Sequence, residues 1–383
     1  MTEIKVDTVV DLAGTGKPNF TTGITVNGAA TSTLNLNQYT ASSSEPSSPD
    51  NGALWWDTAN EKTFIYAEGE WKETIIILPV APWYGDRAVM GGGYYQSGGS
   101  ADNVNTIEYF DITSTGNAFD FGDLSGTKSA MGAASNSTRG LFAGSSGGNG
   151  ANEIQYITIA TTGNTTDFGD LTVERSFGVT GASDATYAVF DGGWNTNTMD
   201  YVTIATTGNA TDFGDATPKA WYNSAVSDGT YGVWGGGESM SAPYYETSMF
   251  YVTLASTGNS TDFGDLTRGR VGSGAAGNAT RGVFTGGTNG SGSSSSSYST
   301  TMDYITISTP SNALDFGDLT VSRANIGGTS NLTRGVFTGG RTAGYTYFNN
   351  IDYITIDTLG DATDFGDMTE VKQFPVSTSG SPS

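Results

Sequence analysis

Between residues 85 and 383 the apolar positions recur in one repeated pattern. In TMDYVTI, Met199 and Tyr201 fall on one side of an extended strand and Val202 and Ile204 on the other, because successive side chains alternate. Both sides are therefore apolar, as a sheet held between two others requires. The strand returns six times, with its tyrosine at 109, 156, 201, 251, 304 and 353. Twelve residues after each tyrosine comes a phenylalanine in a TDFGD-like segment: Phe121, Phe168, Phe213, Phe263, Phe316 and Phe365. Steps of 45 to 53 residues between these phenylalanines define an array of one supersecondary unit.

The stretch 323–367 shows the unit most plainly: ANIGGTSN, TRGVFTGG, a loop, IDYITI, a turn, and TDFGD. These are four short strands, a to d. Strand a is built of small residues (SAMGAASN, GSGAAGN), which suit a crowded axis, so it is expected to lie innermost. The b-to-c loop takes up the length variation, the step from the second glycine (or Ser145) to the strand c tyrosine running from 8 to 17 residues. The first unit begins at Arg87 without a strand a, and the chain ends in KQFPVSTSG, which aligns with RANIGGTSN. Residues 373–379 are therefore expected to pair near Arg87 and close a ring of six blades, which removes the open edges of the array.

Composition then narrows the chemistry. The charge is 16 basic minus 39 acidic, or −23, which excludes a non-specific grip on nucleic acid. The 383 residues include no cysteine and no histidine, so thiolate and imidazole metal sites, disulfides and histidine catalysis are all excluded, and no cofactor is implied. Glu3, Asp7 and Asp11 stand where a signal peptide would be apolar, and the run IIILPVAP is too short to span a bilayer. A soluble product is expected, without membrane insertion and not exported by the usual route.

A glycine pair after strand b, a tyrosine on strand c, an aromatic on strand d and a basic residue opening the next strand a resemble the kelch repeat. The resemblance covers 85–383 and departs from the family in placing Phe where kelch repeats usually have Trp. Residues 1–84, with KVDTVVDLAGTGKPNF and SSPDNGALWWDTANEKTFIYAEGEWKE, resemble the amino-terminal and connector segments of tailed-phage fibres, cyanophage fibres especially. The fold expected is all-β, a six-bladed kelch-like propeller after a small irregular or β attachment region. The resemblance implies a virion tail protein made in the host cytoplasm, held to other tail or baseplate proteins through 1–84 as a homotrimer. It also implies non-enzymatic recognition of a host-surface glycan or protein. A head or neck decoration protein without a receptor, and a glycan-cleaving propeller, remain alternatives.

Several motifs invite sharper chemistry. The triplet Asp-Phe-Gly holds magnesium in kinases, but six copies argue for architecture. The second Asp of each copy precedes a basic residue by five positions in five units and by four in the other, which predicts a repeated blade-to-blade ion pair, with calcium binding as the alternative. STDFGDLT resembles the Asp box of sialidases, yet Arg87, Arg139, Arg281 and Arg334 share one repeated position, unlike the arginines of a single asymmetric site. The N-x-S/T sequons at Asn136, Asn164, Asn209, Asn259, Asn278 and Asn331 fall in constant turns and read as turn chemistry. The b-to-c loops carry rigid aromatics among Gly, Ser and Asn, the palette of antibody loops. Receptor contacts are expected from Tyr94, Tyr95, Trp194, Tyr244 and Tyr245, and in the last two loops from Tyr298, Tyr345, Tyr347 and Phe348.

Overall fold

The computed structural model describes residues 2–6, 9–10, 19–20, 24–26, 29–31, 39–49, 53–57, 62–67, 69–77, 85–97, 100–146, 151–241, 244–289 and 297–381. The serine-rich stretch 291–296, Asp7, Asp11 and much of the first fibre-like motif lie outside them. Two compact units divide the chain, Met1–Ala81 and Pro82–Ser383.

In the first unit, expected to be irregular or β, the described residues form a seven-stranded mixed sheet. Its spatial order is Ala29–Thr31, Ile24–Val26, Thr2–Val6, Glu70–Ile77, Lys62–Ala67, Leu54–Asp57 and Tyr39–Ser42. Trp55, on the strand Leu54–Asp57, is buried, stacked on Phe64 at 4.9 Å and edge-on to Trp71 at 5.7 Å.

The second unit is a six-bladed β-propeller. Blades two to six each contain four antiparallel strands in the order a-b-c-d, for example Gly274–Gly277, Arg281–Thr285, Thr301–Thr306 and Leu314–Asp318. The first blade takes its strand a from the far end of the chain: Val376–Gly380 pairs with Arg87–Gly91, Arg87 opposite Gly380. Of the expected 373–379, Gln373 exchanges both backbone hydrogen bonds with Tyr94, and the continuous ladder resumes only at Val376. Pro375 has no N–H to donate, and Phe374 before it has φ +56°, outside the extended region.

The TDFGD segment proves to be the blade-to-blade joint. Its phenylalanines are buried between sheets, each edge-on to the strand c tyrosine of its own blade, as Phe263 is to Tyr251 at 5.9 Å. Its glycine has φ between +134° and +148°, and a Cβ on Gly122 would come within 2.4 Å of the Gly163 carbonyl in the next blade. The second Asp gives its N–H to the next blade's c-to-d turn, as Asp170 does to Asn209 Oδ1 at 3.1 Å and Asp265 to Asn312 Oδ1 at 3.0 Å. The first Asp is exposed on the outermost strand, where charge discourages edge-to-edge pairing. Asn164, Asn209 and Asn259 are such latches. Asn136, Asn278 and Asn331 instead close a-to-b turns, accepting the N–H groups two and three residues on.

The ion pair expected of the second Asp does not form; the basic residue turns inward to a strand c acid of the blade it leads into. Arg175 meets Asp200 at 2.8 Å, Arg270 meets Asp303 at 2.7 Å, Arg323 meets Asp352 at 3.0 Å, and Lys372 meets Glu108 at 2.6 Å, all four pairs almost wholly buried. Lys128 reaches Glu153 at 2.9 Å. The second Asp is left at the surface because its own N–H, not its carboxylate, is the group the joint uses. The four strand b arginines are likewise structural: Arg139 lies over the Tyr156 ring at 4.3 Å and donates to the Ile204 carbonyl of the next blade at 2.9 Å.

One buried acid is badly served. Asp191 sits beside the Arg175–Asp200 pair and accepts from Asn223 Nδ2 at 2.8 Å, yet burial pushes its pKa up from 3.8 to about 6, against the hydrogen bond and the Arg175 charge that pull it down. A raised carboxyl pKa means that the fold holds its proton more tightly than the unfolded chain does. Stability therefore falls as pH rises from about 4 to about 6 and stays lower above that. Asp191→Asn is expected to stabilise the protein at pH 7 to 8 by up to about 3 kcal/mol, with the gain vanishing near pH 4. Thermal melts across that range check it; an equal gain at both ends would show that the carboxyl charge is not the cause.

Candidate functional site

Small strand a residues leave an open channel along the propeller axis. Its two mouths differ. On the face of the a-to-b turns, strand a ends in Ser135, Ser183, Ser227, Gly277, Ser330 and Ser379. Each serine hydroxyl donates to the preceding blade's carbonyl at the same level, as Ser183 does to Ser135 at 2.7 Å and Ser379 to Ser330 at 2.6 Å. This mouth is a self-satisfied belt. The chain enters the propeller on the same face, where Gly85 lies against Gly380 and Ser381.

The other mouth, on the face of the b-to-c loops, is built differently. Two residues after each inward basic position, or Ala220 in the fourth blade, the backbone turns left-handed: Ala130, Phe177, Tyr222, Gly272, Asn325 and Phe374 have φ between +52° and +65°. Their amides link round the axis, with Tyr222 N–H to Gly178 O, Gly272 N–H to Tyr222 O, Asn325 N–H to Gly272 O and Phe374 N–H to Asn325 O. Bulky residues seldom adopt this conformation, and each costs on the order of 1–3 kcal/mol. Three of the six are aromatic nonetheless. Tyr222 and Phe374, from opposite blades, stack across the axis at 5.0 Å and 24°.

Two cavities flank that stack, with Phe374 and Arg341 in the walls of both. One is lined further by Tyr222, Tyr245, Tyr298, Glu238 and Asn325. The other is lined by Tyr94, Tyr345, Phe177, Gln373 and Asn103. Burial holds the Tyr222 hydroxyl pKa well above its ordinary value, with Glu238 adding to the shift and Arg341 opposing it. The Tyr347 hydroxyl is raised for the same first reason. Both phenols therefore stay protonated and can donate.

Of the nine expected contact residues, the structure brings Tyr94, Tyr245, Tyr298 and Tyr345 to the walls of these cavities, with Tyr347 6.4 Å from Tyr94. Tyr298 is only 6% exposed and pairs through its backbone with Thr288, so little of its ring faces the cavity. Trp194 lies against Trp221 at 4.8 Å and Phe177 at 6.0 Å while remaining 53% exposed. Tyr244 is exposed, whereas Tyr95 and Phe348 are half-buried; none of the three lines a cavity wall described here. Sequence reasoning missed Tyr222, Phe374, Phe177 and Arg341. For Phe177, Tyr222 and Phe374 the signal was one place in the d-to-a segment, two after the inward basic position, that varies as Ala, Phe, Tyr, Gly, Asn and Phe; Arg341 stands elsewhere, directly after the glycine pair of the sixth strand b.

Flat rings, protonated phenols, amides, one guanidinium and one carboxylate suit a hydroxylated ring-shaped ligand. Among the described lining residues Glu238 is the only carboxylate, whereas retaining glycosidases bring two within about 5 to 5.5 Å. Comparison with known protein families found no match, and comparison with curated proteins found none either.

Proposed function

We propose that the chain is a non-enzymatic receptor-binding protein of a phage tail, a trimeric fibre or spike with a kelch-type propeller whose loop face binds a host-surface glycan. Residues 1–84 attach it to other tail or baseplate proteins. The observation that supports this most is the aromatic mouth itself: strained, bulky residues stand where small ones would make the same turn at lower cost. The chain enters the propeller on the opposite face. A single mouth need bind only weakly, since a millimolar site is worth about −4 kcal/mol. Three on one fibre gain on the order of 10² to 10⁴ in avidity when receptors match their spacing.

The test is adsorption of fluorescently labelled full-length protein to a panel of bacterial cells, cyanobacteria included. Trp194→Ala, or Tyr244→Ala with Tyr245→Ala, is expected to lower labelling without lowering the melting temperature. Phe263→Ala is expected to lower the melting temperature through the roughly 3–5 kcal/mol cost of an emptied blade interface. Labelling that survives every loop substitution but is lost on changing the a-to-b turns would invert the assignment of the binding face. Release of soluble saccharide from the cells would make the protein a hydrolase.

A further inference from the structure

The propeller has twelve basic residues, and eleven are committed to partners. Arg175, Arg270, Arg323, Lys372 and Lys128 hold strand c acids. Arg87, Arg139, Arg281 and Arg334 donate to carbonyls of the next blade. Lys219 donates to Asn195 and Arg268 to Ser299. The twelfth is Arg341, which among the described residues donates no side-chain hydrogen bond and meets no carboxylate. Its guanidinium lies 5.2 Å from the Tyr345 ring, and its Nε is shielded from solvent with no acceptor. A cation left unpaired in a protein of net charge −23 is an unusual expense, and this one stands in the wall shared by both mouth cavities.

We infer that the mouth takes an acidic saccharide, a glycan unit bearing a carboxylate, which Arg341 engages while the sugar ring lies on the aromatic wall beside the Tyr222–Phe374 stack. This rests on the glycan-binding reading above and names its substrate class. A guanidinium matches a carboxylate with two parallel hydrogen bonds, stronger and more directional than neutral ones. In the cavity that Tyr222 lines, the hydroxyls of the same ring find a donor in its protonated phenol and an acceptor in Glu238. Glu238 also repels a ligand that places its charge on the wrong side of the cavity, and so fixes orientation as well as affinity.

The experiment titrates full-length protein with oligouronates and with their carboxyl-reduced neutral counterparts, followed by saturation-transfer NMR. Oligouronates are expected to bind at least tenfold more tightly than the neutral forms, with affinity falling as salt rises. Arg341→Gln is expected to remove that preference, and Arg341→Lys to restore only part of it, since an ammonium lacks the planar fork. Equal binding of charged and neutral oligosaccharides, no binding of either, or an undiminished preference in Arg341→Gln would overturn the inference. Should Arg341→Gln fold poorly, the comparison of charged with reduced ligand on the wild type decides alone. Cell adsorption separates the two readings. Labelling that loop substitutions abolish, but that neither Arg341→Gln nor added oligouronate weakens, keeps the receptor and sinks the acidic sugar. Oligouronate binding through Arg341, with no cell ever labelled, does the reverse.

Discussion

Deleting residues 372–383 is expected to unfold the whole propeller. The closing strand covers Ala88, Val89 and Met90, all fully buried, and its removal exposes their backbone edge along the whole Arg87–Gly91 ladder. It also takes away Lys372, so Glu108 remains as a buried carboxylate without its cation. Breaking a buried pair in this way costs about 3–5 kcal/mol on its own. The Ser379 hydroxyl belongs to the axial belt, and Gln373 Oε1 accepts from Asn325 at 2.6 Å, so the loss spreads to the sixth blade. Against a typical total of about 5–15 kcal/mol, these losses leave little or no folded population. Calorimetry of the truncated chain checks this: the propeller transition should vanish or move down by more than ten degrees, and an unshifted transition would refute the closure.

Much of this architecture was legible because the period carries it. One tyrosine, one phenylalanine and a glycine pair, repeated at near-constant spacing, fixed the number of blades, their strand order and the strand that closes them. The meaning of Asp-Phe-Gly-Asp was less accessible. The glycine and the second Asp act on the neighbouring blade, through a close approach to Gly163 or its equivalents and through a backbone N–H, and neither contact leaves a mark in the spacing. The ion pair was misassigned for a related reason. Sequence distance linked Asp265 to Arg270, whereas the partner of Arg270 is Asp303, a strand pairing away. The site was half legible: loop aromatics advertise themselves, but Tyr222 and Phe374 stand at the start of a strand read as a run of small residues.

The fourth blade gives the measure of what the buried pairs contribute, because it lacks one. Ala220 stands where its neighbours have Arg or Lys, Phe250 where they have an acid, and Trp234 stacks on Phe250 at 5.6 Å with the rings only 7° from parallel. The fifth blade has Arg270, Asp303 and Phe284 at the same places. Burial lowers the Arg270 pKa and the Asp303 charge raises it again, so the guanidinium depends on its partner to remain charged there. Asp303→Ala is expected to cost about 3–5 kcal/mol, since it strands a buried cation. The Thr267 N–H and hydroxyl also lose their acceptors on Asp303. Grafting the fourth blade's solution, Arg270→Ala with Phe284→Trp and Asp303→Phe, is expected to recover most of that loss, because ion pairs replaced by packed apolar groups are often neutral or stabilising. Recovery should stop short of complete by about 1–3 kcal/mol, the cost of the unsatisfied Thr267 amide. Denaturant unfolding of the two variants beside the wild type reads both numbers. A graft no more stable than Asp303→Ala would mean that the pair supplies specific blade geometry that aromatic packing cannot replace.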